Sequence, residues 1–311
     1  MPAVGAGGTA LITGVTGQDG YYLSKLLQRN GFEVCGVPRD AMADVAVLKE
    51  LAGTVKPDVV FHLAAVSSVA ASWQDPIETS RVNALSTAVL LDACLAAQER
   101  TGSPITVVNA SSCEIFAGAS DSPQTETTPL QPISPYGAAK AFGHTLCKIY
   151  RAKGLNVSNA ILYNHESPRR PEQFVTRKIT KAAAAIASGR RHRLVLGDVT
   201  VERDWGWAPD YVEAMYRMAL HDNGDDFVVA TGVTHSVQDF VAAAFAAAGI
   251  EDWKAHVDSD AAFTRPRDRG VAVGDPTKAG SVLGWYPTFG FDEIVKAMVS
   301  SDLRQEQDAC G

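Results

Sequence analysis

The chain has 311 residues, of which 46% are hydrophobic and 20% charged, and its formal net charge is -7. This length and apolar content suffice for a substantial core, as one unit or two closely joined lobes, while the acidic balance argues against general binding to nucleic acid or anionic membranes. No apolar run approaches the roughly eighteen residues of a membrane span, and no basic residue precedes Lys25, so we expect a cytoplasmic protein without a signal peptide.

A glycine-rich turn follows the first predicted strand. Residues 9–13 form a short apolar run, and Gly14, Gly17 and Gly20 follow it at intervals of three. A helix is predicted to begin near Gly20, and a second strand covers residues 33–37. Glycines at this spacing allow a tight turn, close approach of the backbone to a pyrophosphate, and close packing of the next helix. The order of these elements predicts dinucleotide binding.

Strands and helices alternate along the rest of the first half. Strands are predicted at 58–65, 105–110 and 156–163, with helices at 76–98 and 135–153 between them. Small residues at the end of the 58–65 strand leave room for a cofactor. This alternation predicts an α/β fold, a Rossmann-like doubly wound parallel sheet covered on both faces.

Beyond Asn164 the pattern loosens into Arg-rich loops, alanine-rich helices (179–188 and 237–248) and short strands (193–196 and 227–230). We therefore predict a cofactor-binding domain over residues 1–163 that also carries the catalytic residues. Residues 164–311 are predicted to form a smaller α/β substrate-binding region, with some segments returning to the first domain. The five cysteines lie without metal-ligand spacing, and no metal site is predicted.

Tyr136 and Lys140 form a Tyr-x-x-x-Lys pair on the helix that Ser134 and Pro135 are expected to start. The spacing of four places both side chains on one helix face, where the ammonium can favour the phenolate. Such pairs also recur by chance. Ser112 and Glu114 precede the helix, and on an extended chain they would face the same side, with Cys113 turned away as a structural residue. The alternatives for them are a turn-capping serine and a solvated glutamate.

Six segments together resemble the GDP-mannose 4,6-dehydratase family of extended short-chain dehydrogenases/reductases, and they span nearly the whole chain. The glycine turn is shared across that superfamily, whereas the combination is specific to this family and its nearest relatives. The segments are GVTGQDG at 14–20, YGAAK at 136–140, NHESPRR at 164–170, FVTRK at 174–178, RDWG at 203–206 and GDPTK at 274–278.

The resemblance implies a Rossmann domain that holds NADP and a C-terminal region that closes over GDP-mannose. The implied reaction is a net loss of water that yields GDP-4-dehydro-6-deoxy-D-mannose, with the cofactor reduced and reoxidised in one turnover. Tyr136 would take the O4 proton, and Lys140 would lower the pKa of Tyr136 and bind the nicotinamide ribose. Glu114 would remove the C5 proton and help expel the C6 hydroxyl, with Ser112 hydrogen-bonded to O4.

The resemblance also assigns binding residues. For the cofactor these are Gly14, Thr16, Gly17, Gln18, Asp19, Gly20, Arg39, Leu63, Ala64, Ala65, Ser67, Tyr136, Lys140, His165 and Arg170. For the substrate they are Ser68, Asn164, Glu166, Lys178, Arg203 and Arg265. A diphosphate needs cations in a chain that is acidic overall, and Arg169 adds to this supply. Trp205 and Trp207 are interpreted as packing residues.

One segment departs from the family. Between the second strand and Pro57 the family carries a longer stretch, with a pair of arginines for the 2'-phosphate and a loop that reaches a neighbouring subunit. If Arg39 keeps the arginine position, NADP is preferred; if Asp40 instead aligns with an acidic residue near the adenine, NAD stays open. We favour NADP. Because the loop is missing, a homodimer formed by helices 76–98 and 135–153 is expected rather than a tetramer.

Three other functions remain as alternatives. A reductase acting on the 4-keto product would consume external NADPH, and residues 18–19 and 164–167 argue against it. A dehydratase of another GDP-sugar, such as a GDP-heptose, shares the same GDP-binding residues. A nucleotide-sensing protein without catalysis is disfavoured because Ser112, Glu114, Tyr136 and Lys140 are all present.

Overall fold

The computed structural model describes residues 7–37, 54–260 and 271–308. The predictions made for Arg39, Asp40 and Arg265 therefore lie outside the described residues. No helix within the described ranges is both long and apolar enough to cross a membrane.

A six-stranded parallel sheet forms the centre of the molecule, in the order β2-β1-β3-β4-β5-β9. After β2 the chain crosses to the other side of β1 to form β3. In parallel α/β sheets such a reversal opens a crevice at the carboxyl ends of the strands, where ligands bind. The predicted Rossmann-like α/β fold is thus confirmed. The strands are β1 Thr9–Thr13, β2 Glu33–Val37, β3 Val59–His62, β4 Thr106–Ser112, β5 Asn156–Leu162 and β9 Asp226–Val229.

Ten α-helices surround the strands in the described part of the chain. They are α1 Gln18–Arg29, α2 Val69–Gln74, α3 Pro76–Ser80, α4 Ser86–Thr101, α5 Pro135–Ala152, α6 Val175–Ala187, α7 Ala208–Ala219, α8 Val237–Ala247, α9 Thr277–Leu283 and α10 Phe291–Asp308.

Apolar residues pack on both faces of the main sheet, as the predicted alternation requires. In β1, Ile12 faces a core that includes Leu23 of α1 and Tyr211 of α7, whereas its neighbour Leu11 faces a core that includes Leu91 of α4 and Cys147 of α5. Successive side chains of a strand point to opposite faces, so each strand contributes to both cores.

A third core lies in the C-terminal half, where Ile179 of α6, Phe240 of α8 and Val295 of α10 pack together. Short strands border it: β6 Asn164–Glu166, β8 Glu202–Trp207 and β10 Thr234–Ser236 form one sheet, while β7 Leu194–Leu196 pairs with β11 Val257–Ser259. The strand β9 instead pairs with β5 in the main sheet. A segment from beyond residue 163 thus joins the N-terminal sheet.

The predicted helix at 76–98 is present and reaches Thr101, but it contains a π-helical turn that was not predicted. The chain forms α3, then a π-helical turn at Arg81–Leu85, and only then α4. Asn83 lies in this turn and holds the backbone of Val66 on both sides: Val66 N donates to Asn83 Oδ1 at 2.7 Å, and Asn83 Nδ2 donates to Val66 O at 3.1 Å. The wider turn ties the helix to the loop after β3, a tertiary contact that side-chain periodicity does not reveal.

Candidate active site

A cavity of about 160 Å³ lies at the carboxyl ends of β4 and β5 and reaches the loop after β3. Its lining includes all four residues predicted to be catalytic: Ser112, Glu114, Tyr136 and Lys140. These side chains come from the end of β4 and the start of α5, so the fold brings together residues up to 28 positions apart (112 to 140). In the described part of the chain, no group of acidic, His or Cys side chains is arranged to hold a metal ion.

Tyr136 and Lys140 lie in the first turns of α5, which starts as predicted. Ser134 caps the helix by accepting a hydrogen bond from the backbone N of Gly137 at 3.0 Å, and Pro135 follows in the first turn. Both side chains are buried. The ammonium of Lys140 donates to the carbonyl O of Ala110 in β4 at 2.7 Å. The pair is therefore held against the end of β4.

Burial dominates the electrostatics of this pair. It raises the pKa of Tyr136, an effect opposed by a hydrogen bond with Ser112, and it lowers the pKa of Lys140 to about 8. The Lys140 ammonium is directed to the Ala110 carbonyl, and its effect on the pKa of Tyr136 stays a prediction.

Ser112 and Glu114 share the cavity for a different reason from the one predicted. β4 ends at Ser112, and Cys113–Phe116 form a 3-10 turn, so the chain between Ser112 and Glu114 is not extended. Ser112 Oγ accepts a hydrogen bond from Glu114 N at 3.2 Å and caps the turn. Cys113 is buried in the core, and burial raises the pKa of its thiol, as suits a structural residue.

The glycine-rich turn is built for close backbone approach. Gly14 has a φ of +74°, and a Cβ there would come within 2.9 Å of the Ala64 backbone. A Cβ on Gly20 would lie 2.6 Å from Cα of Val15. The helix α1 begins at Gln18, two residues before the expected start, and no described side chain caps its N-terminus. Its first N–H groups and the compact turn fit a dinucleotide pyrophosphate.

Gln18 and Asp19 connect this turn to the loop after β5. Gln18 donates to the carbonyl of His165 at 3.1 Å and accepts from the Ser167 hydroxyl at 2.8 Å. His165 Nε2 lies 3.0 Å from both carboxylate oxygens of Asp19. Burial disfavours the charged form of both side chains, but their interaction with each other outweighs it. The pKa of Asp19 is therefore lowered and the pKa of His165 is raised. Asp19 and His165 are thus an ion pair facing the cavity.

This ion pair predicts a pH-dependent stability. The contribution of His165 to the free energy of unfolding is present below its ordinary pKa of 6.5, and it disappears as pH rises through the raised pKa. The contribution of Asp19 is present above its ordinary pKa of 3.8, and it disappears as pH falls through the lowered pKa. We expect Asp19→Asn to reduce the free energy of unfolding by about 2 kcal/mol near pH 5.5 and by clearly less near pH 9. Urea titrations at both pH values measure this difference.

The control is Asp258→Asn, which breaks an exposed ion pair with Arg193 and should change stability by less than about 1 kcal/mol at either pH. An equal loss for Asp19→Asn at both pH values contradicts the assignment.

A second cavity, of about 130 Å³, adjoins the first in the C-terminal half. Asn164, Arg170, Phe174 and Arg203 line both cavities. Arg170 and Arg203 therefore place two cations where the cavities meet, the arrangement that a diphosphate requires.

The predicted substrate residues are divided by the structure. Asn164, Glu166 and Arg203 line the second cavity. Glu166 is buried, accepts from the Thr176 hydroxyl at 2.6 Å and lies 3.3 Å from Arg170 Nε. Ser68 instead caps α2 by accepting from Ala71 N, and the Lys178 ammonium donates to the Val195 carbonyl at 2.7 Å. Neither of these two is among the described residues that line either cavity.

Both tryptophans pack as interpreted. Trp205 is buried against Phe240 and Phe291, and Trp207 stacks on Phe289 with ring centroids 5.0 Å apart. Of the predicted cations, Arg169 lies over the Tyr21 ring at 3.9 Å.

One supporting residue was missed. Asp204 is buried and accepts hydrogen bonds from the backbone N and the hydroxyl of Thr231 and from Gly232 N, at 2.9, 2.7 and 2.9 Å. It fixes β8, and hence Arg203, to the loop after β9. The only sequence signal for this role was an aspartate next to an arginine in a predicted motif. Its hydrogen-bond partners lie far away in the sequence and could not be predicted.

Comparison with known proteins gives a consistent result. The family described as GDP-mannose 4,6 dehydratase matches residues 39–298. The chain is 41% identical to GDP-mannose 4,6 dehydratase 1 of Arabidopsis thaliana, covering 94% of this chain and 89% of the plant protein. It is 37% identical to GDP-mannose 4,6-dehydratase of Vibrio cholerae, covering 96% of this chain and 94% of the bacterial protein.

Among solved structures, RMD from Pseudomonas aeruginosa complexed with NADPH superimposes with a TM-score of 0.83 at 23% identity, covering 96% of this chain and 99% of that one. At this identity the likeness concerns the fold.

Proposed function

Because the chain belongs to the GDP-mannose 4,6-dehydratase family, we propose that it converts GDP-mannose to GDP-4-dehydro-6-deoxy-D-mannose and water as an NADP-dependent nucleotide-sugar dehydratase. The observation that carries this proposal is the meeting of Ser112, Glu114, Tyr136 and Lys140 in one cavity. The Tyr136–Lys140 pair for oxidation and Glu114 as acid-base residue can then act on the same sugar.

NADP fits the residues present. The glycine turn and the uncapped start of α1 offer a pyrophosphate site, and Leu63, Ala65 and Ser67 line the cavity beside the catalytic residues. When bound, the nicotinamide supplies the hydride chemistry, removal from C4 and return to C6. The relative with bound NADPH shares this fold, which supports the same choice.

Tyr136 acts first in the proposed mechanism. Its phenolic oxygen takes the proton of the sugar O4, and the Ser112 hydroxyl orients O4 by a hydrogen bond. Lys140 lies one helical turn away on α5 and supplies a positive charge on the same face. The raised pKa of Tyr136 makes the phenolate a strong base once it forms.

Glu114 acts second. A ketone at C4 acidifies the proton at C5, and the Glu114 carboxylate removes it. The same group, now protonated, gives its proton to the departing C6 hydroxyl. The later return of hydride to C6 is balanced by a proton delivered to C5. Tyr136 and Glu114 thus divide the work between O4 and the C5–C6 bond, and the 3-10 turn at the end of β4 keeps both at one cavity.

Arg170 and Arg203 are proposed to bind the diphosphate, with the guanosine in the second cavity beside Asn164 and Glu166. The relatives named for GDP-mannose favour that sugar over a GDP-heptose, and they favour dehydration over external reduction of the keto product. We also propose that the cofactor-binding domain ends near residue 163 and that the protein is cytoplasmic.

The test is an incubation of the purified protein with GDP-mannose and no added cofactor, with mass spectrometry of the sugar nucleotide and of the nucleotide extracted from the protein. We expect a product lighter by one water, and bound NADP. Absence of product with or without added NADP rejects the dehydratase. Stoichiometric consumption of NADPH by a keto-sugar indicates the reductase, and extraction of NAD alone rejects the cofactor assignment.

A homodimer is proposed because apolar side chains are exposed on the helices expected to form it. Ile77 of α3 is 80% exposed, and Leu85, Phe142 and Ile149 are each nearly half exposed. We expect light scattering to give twice the mass of the chain and Phe142→Glu to reduce it to the single-chain mass, because a charge there cannot be buried unpaired. Tyr286→Glu, at an exposed residue outside these helices, is the control. A stable tetramer or a monomeric parent contradicts the dimer.

A further inference from the structure

A buried histidine lies on α5 one turn beyond Lys140. His144 is 1% exposed, and its Nδ1 lies 3.1 Å from the hydroxyl of Ser111 in β4. Its Nε2 lies 3.4 Å from the carboxylate of Asp226 in β9. The ring therefore joins a helix and two strands of the main sheet. None of the three side chains is used in the reaction proposed above.

Asp226 is a firm anchor for the ring. Arg151 and Asn159 donate to one of its oxygens at 2.8 and 2.9 Å, and Lys148 lies 3.0 Å from the other. Burial alone acts to raise the pKa of Asp226, but these donors and His144 hold it well below its ordinary value. The carboxylate can only accept hydrogen bonds, so it favours the His144 tautomer with a proton on Nε2, which leaves Nδ1 to meet the Ser111 hydroxyl.

Ser111 lies between the two positions at which α5 already contacts β4. The carbonyl of Ala110 accepts from Lys140, and the Ser112 hydroxyl acts to lower the pKa of Tyr136. Tyr136, Lys140 and His144 are spaced by four on one helix face, and the last two hydrogen-bond consecutive residues of the strand. The bond between His144 and Ser111 secures the last part of β4 before the catalytic serine.

We propose that His144 is a positioning residue, which transmits the fixed position of Asp226 to Ser111 and so holds Ser112 opposite Tyr136. The expected effect of His144 on kcat rests on the proposed function, whereas its expected effect on the stability of the end of β4 does not. A catalytic group displaced by about 1 Å can lose on the order of 100-fold in rate, so the contribution of such support is large compared with that of one hydrogen bond to stability.

Two substitutions break the same bond from opposite sides. Ser111→Ala removes the hydroxyl, and His144→Gln retains an amide that reaches Asp226 while removing the ring nitrogen that meets Ser111. Asn156→Ala is the matched control, since it removes a side-chain bond from β5 to Thr106 at the amino end of the same strand, about 17 Å from Ser111.

The first readout is amide hydrogen exchange in residues 110–116, measured without substrate. We expect exchange to accelerate on the order of 10-fold in Ser111→Ala and His144→Gln and to stay at the parent rate in Asn156→Ala. Unchanged exchange in both variants overturns the inference, and this holds even if the protein fails to dehydrate GDP-mannose.

The second readout is kcat against KM with GDP-mannose. We expect each variant to lower kcat on the order of 10- to 100-fold with KM within about twofold. The double variant should lose no more than the single variant with the larger loss, because both changes break one bond. A kcat at the parent value, with only the unfolding midpoint reduced as in Asn156→Ala, shows a role in stability alone and overturns the inference.

Discussion

Replacing Glu114 by Gln will stop the reaction after the sugar has been oxidised. The variant keeps the size of the side chain and the backbone N–H that Ser112 accepts, so the turn at the end of β4 stays intact. Gln has no basic oxygen for the C5 proton and no acidic proton for the C6 hydroxyl. Because Tyr136, Lys140 and Ser112 are untouched, oxidation at C4 continues.

We expect the overall rate of dehydration by Glu114→Gln to fall by a factor on the order of 10³, since one residue performs both the base and the acid step. Single-turnover mixing should show the absorbance of reduced nicotinamide rising and persisting, with a 4-keto sugar that retains its C6 hydroxyl. The control is Glu172→Gln, a change at a largely exposed carboxylate, which should react like the parent. Dehydration by Glu114→Gln at the parent rate contradicts the assigned role.

Replacing Tyr136 by Phe will block the reaction one step earlier. The phenolic oxygen is the proposed acceptor of the O4 proton, and phenylalanine retains the ring without it. The Ser112 hydroxyl, which remains, is not a base that could replace the lost group. We expect kcat to fall by a factor on the order of 10³ to 10⁴, with no reduced nicotinamide in a single turnover.

Binding should survive the Tyr136→Phe change, because it leaves the arginines and the glycine turn unaltered. The matched control is Tyr150→Phe on the same helix, whose hydroxyl contacts only Asp92 near the surface among the described residues. It should keep the parent kcat. Rapid appearance of reduced nicotinamide in Tyr136→Phe rules out the assigned proton transfer. The two variants together place Tyr136 before Glu114 in the reaction.

Much of the fold could be read from the sequence. The β1 strand and the glycine turn were predictable because strand periodicity and glycine spacing are local signals. The start of α5 was predictable for the same reason, since Ser134 and Pro135 cap it directly. The π-helical turn at Arg81–Leu85 was not, because its contact between Asn83 and Val66 joins residues seventeen positions apart.

The active-site residues could be named but their surroundings could not. The prediction placed Ser112 and Glu114 on one side because it assumed an extended chain. In the structure a 3-10 turn follows Ser112, and Ser112 caps this turn by accepting a hydrogen bond from Glu114 N. Ser111, His144 and Asp226 carry no local signal, because their contacts span 33 and 82 positions. Polar partners brought together by tertiary packing leave no periodic pattern in a single sequence.

Some predicted contacts keep the status of predictions. Arg39 and Arg265 lie outside the described residues. Ser68 and Lys178 have backbone partners in the structure. Asn164, Glu166 and Arg203 carry the substrate proposal, because they share a cavity that adjoins the catalytic one.

The central claim is that the hydride taken from C4 returns to C6 within one turnover, with Tyr136 and Glu114 handling the protons between. GDP-mannose carrying deuterium at C4 tests it directly, with the position of the label in the product determined by NMR. We predict deuterium at C6 of the 4-dehydro-6-deoxy sugar, without exchange with an external pool of unlabelled NADPH. Loss of the label to that pool, or a C6 methyl group free of deuterium, would contradict the closed cycle.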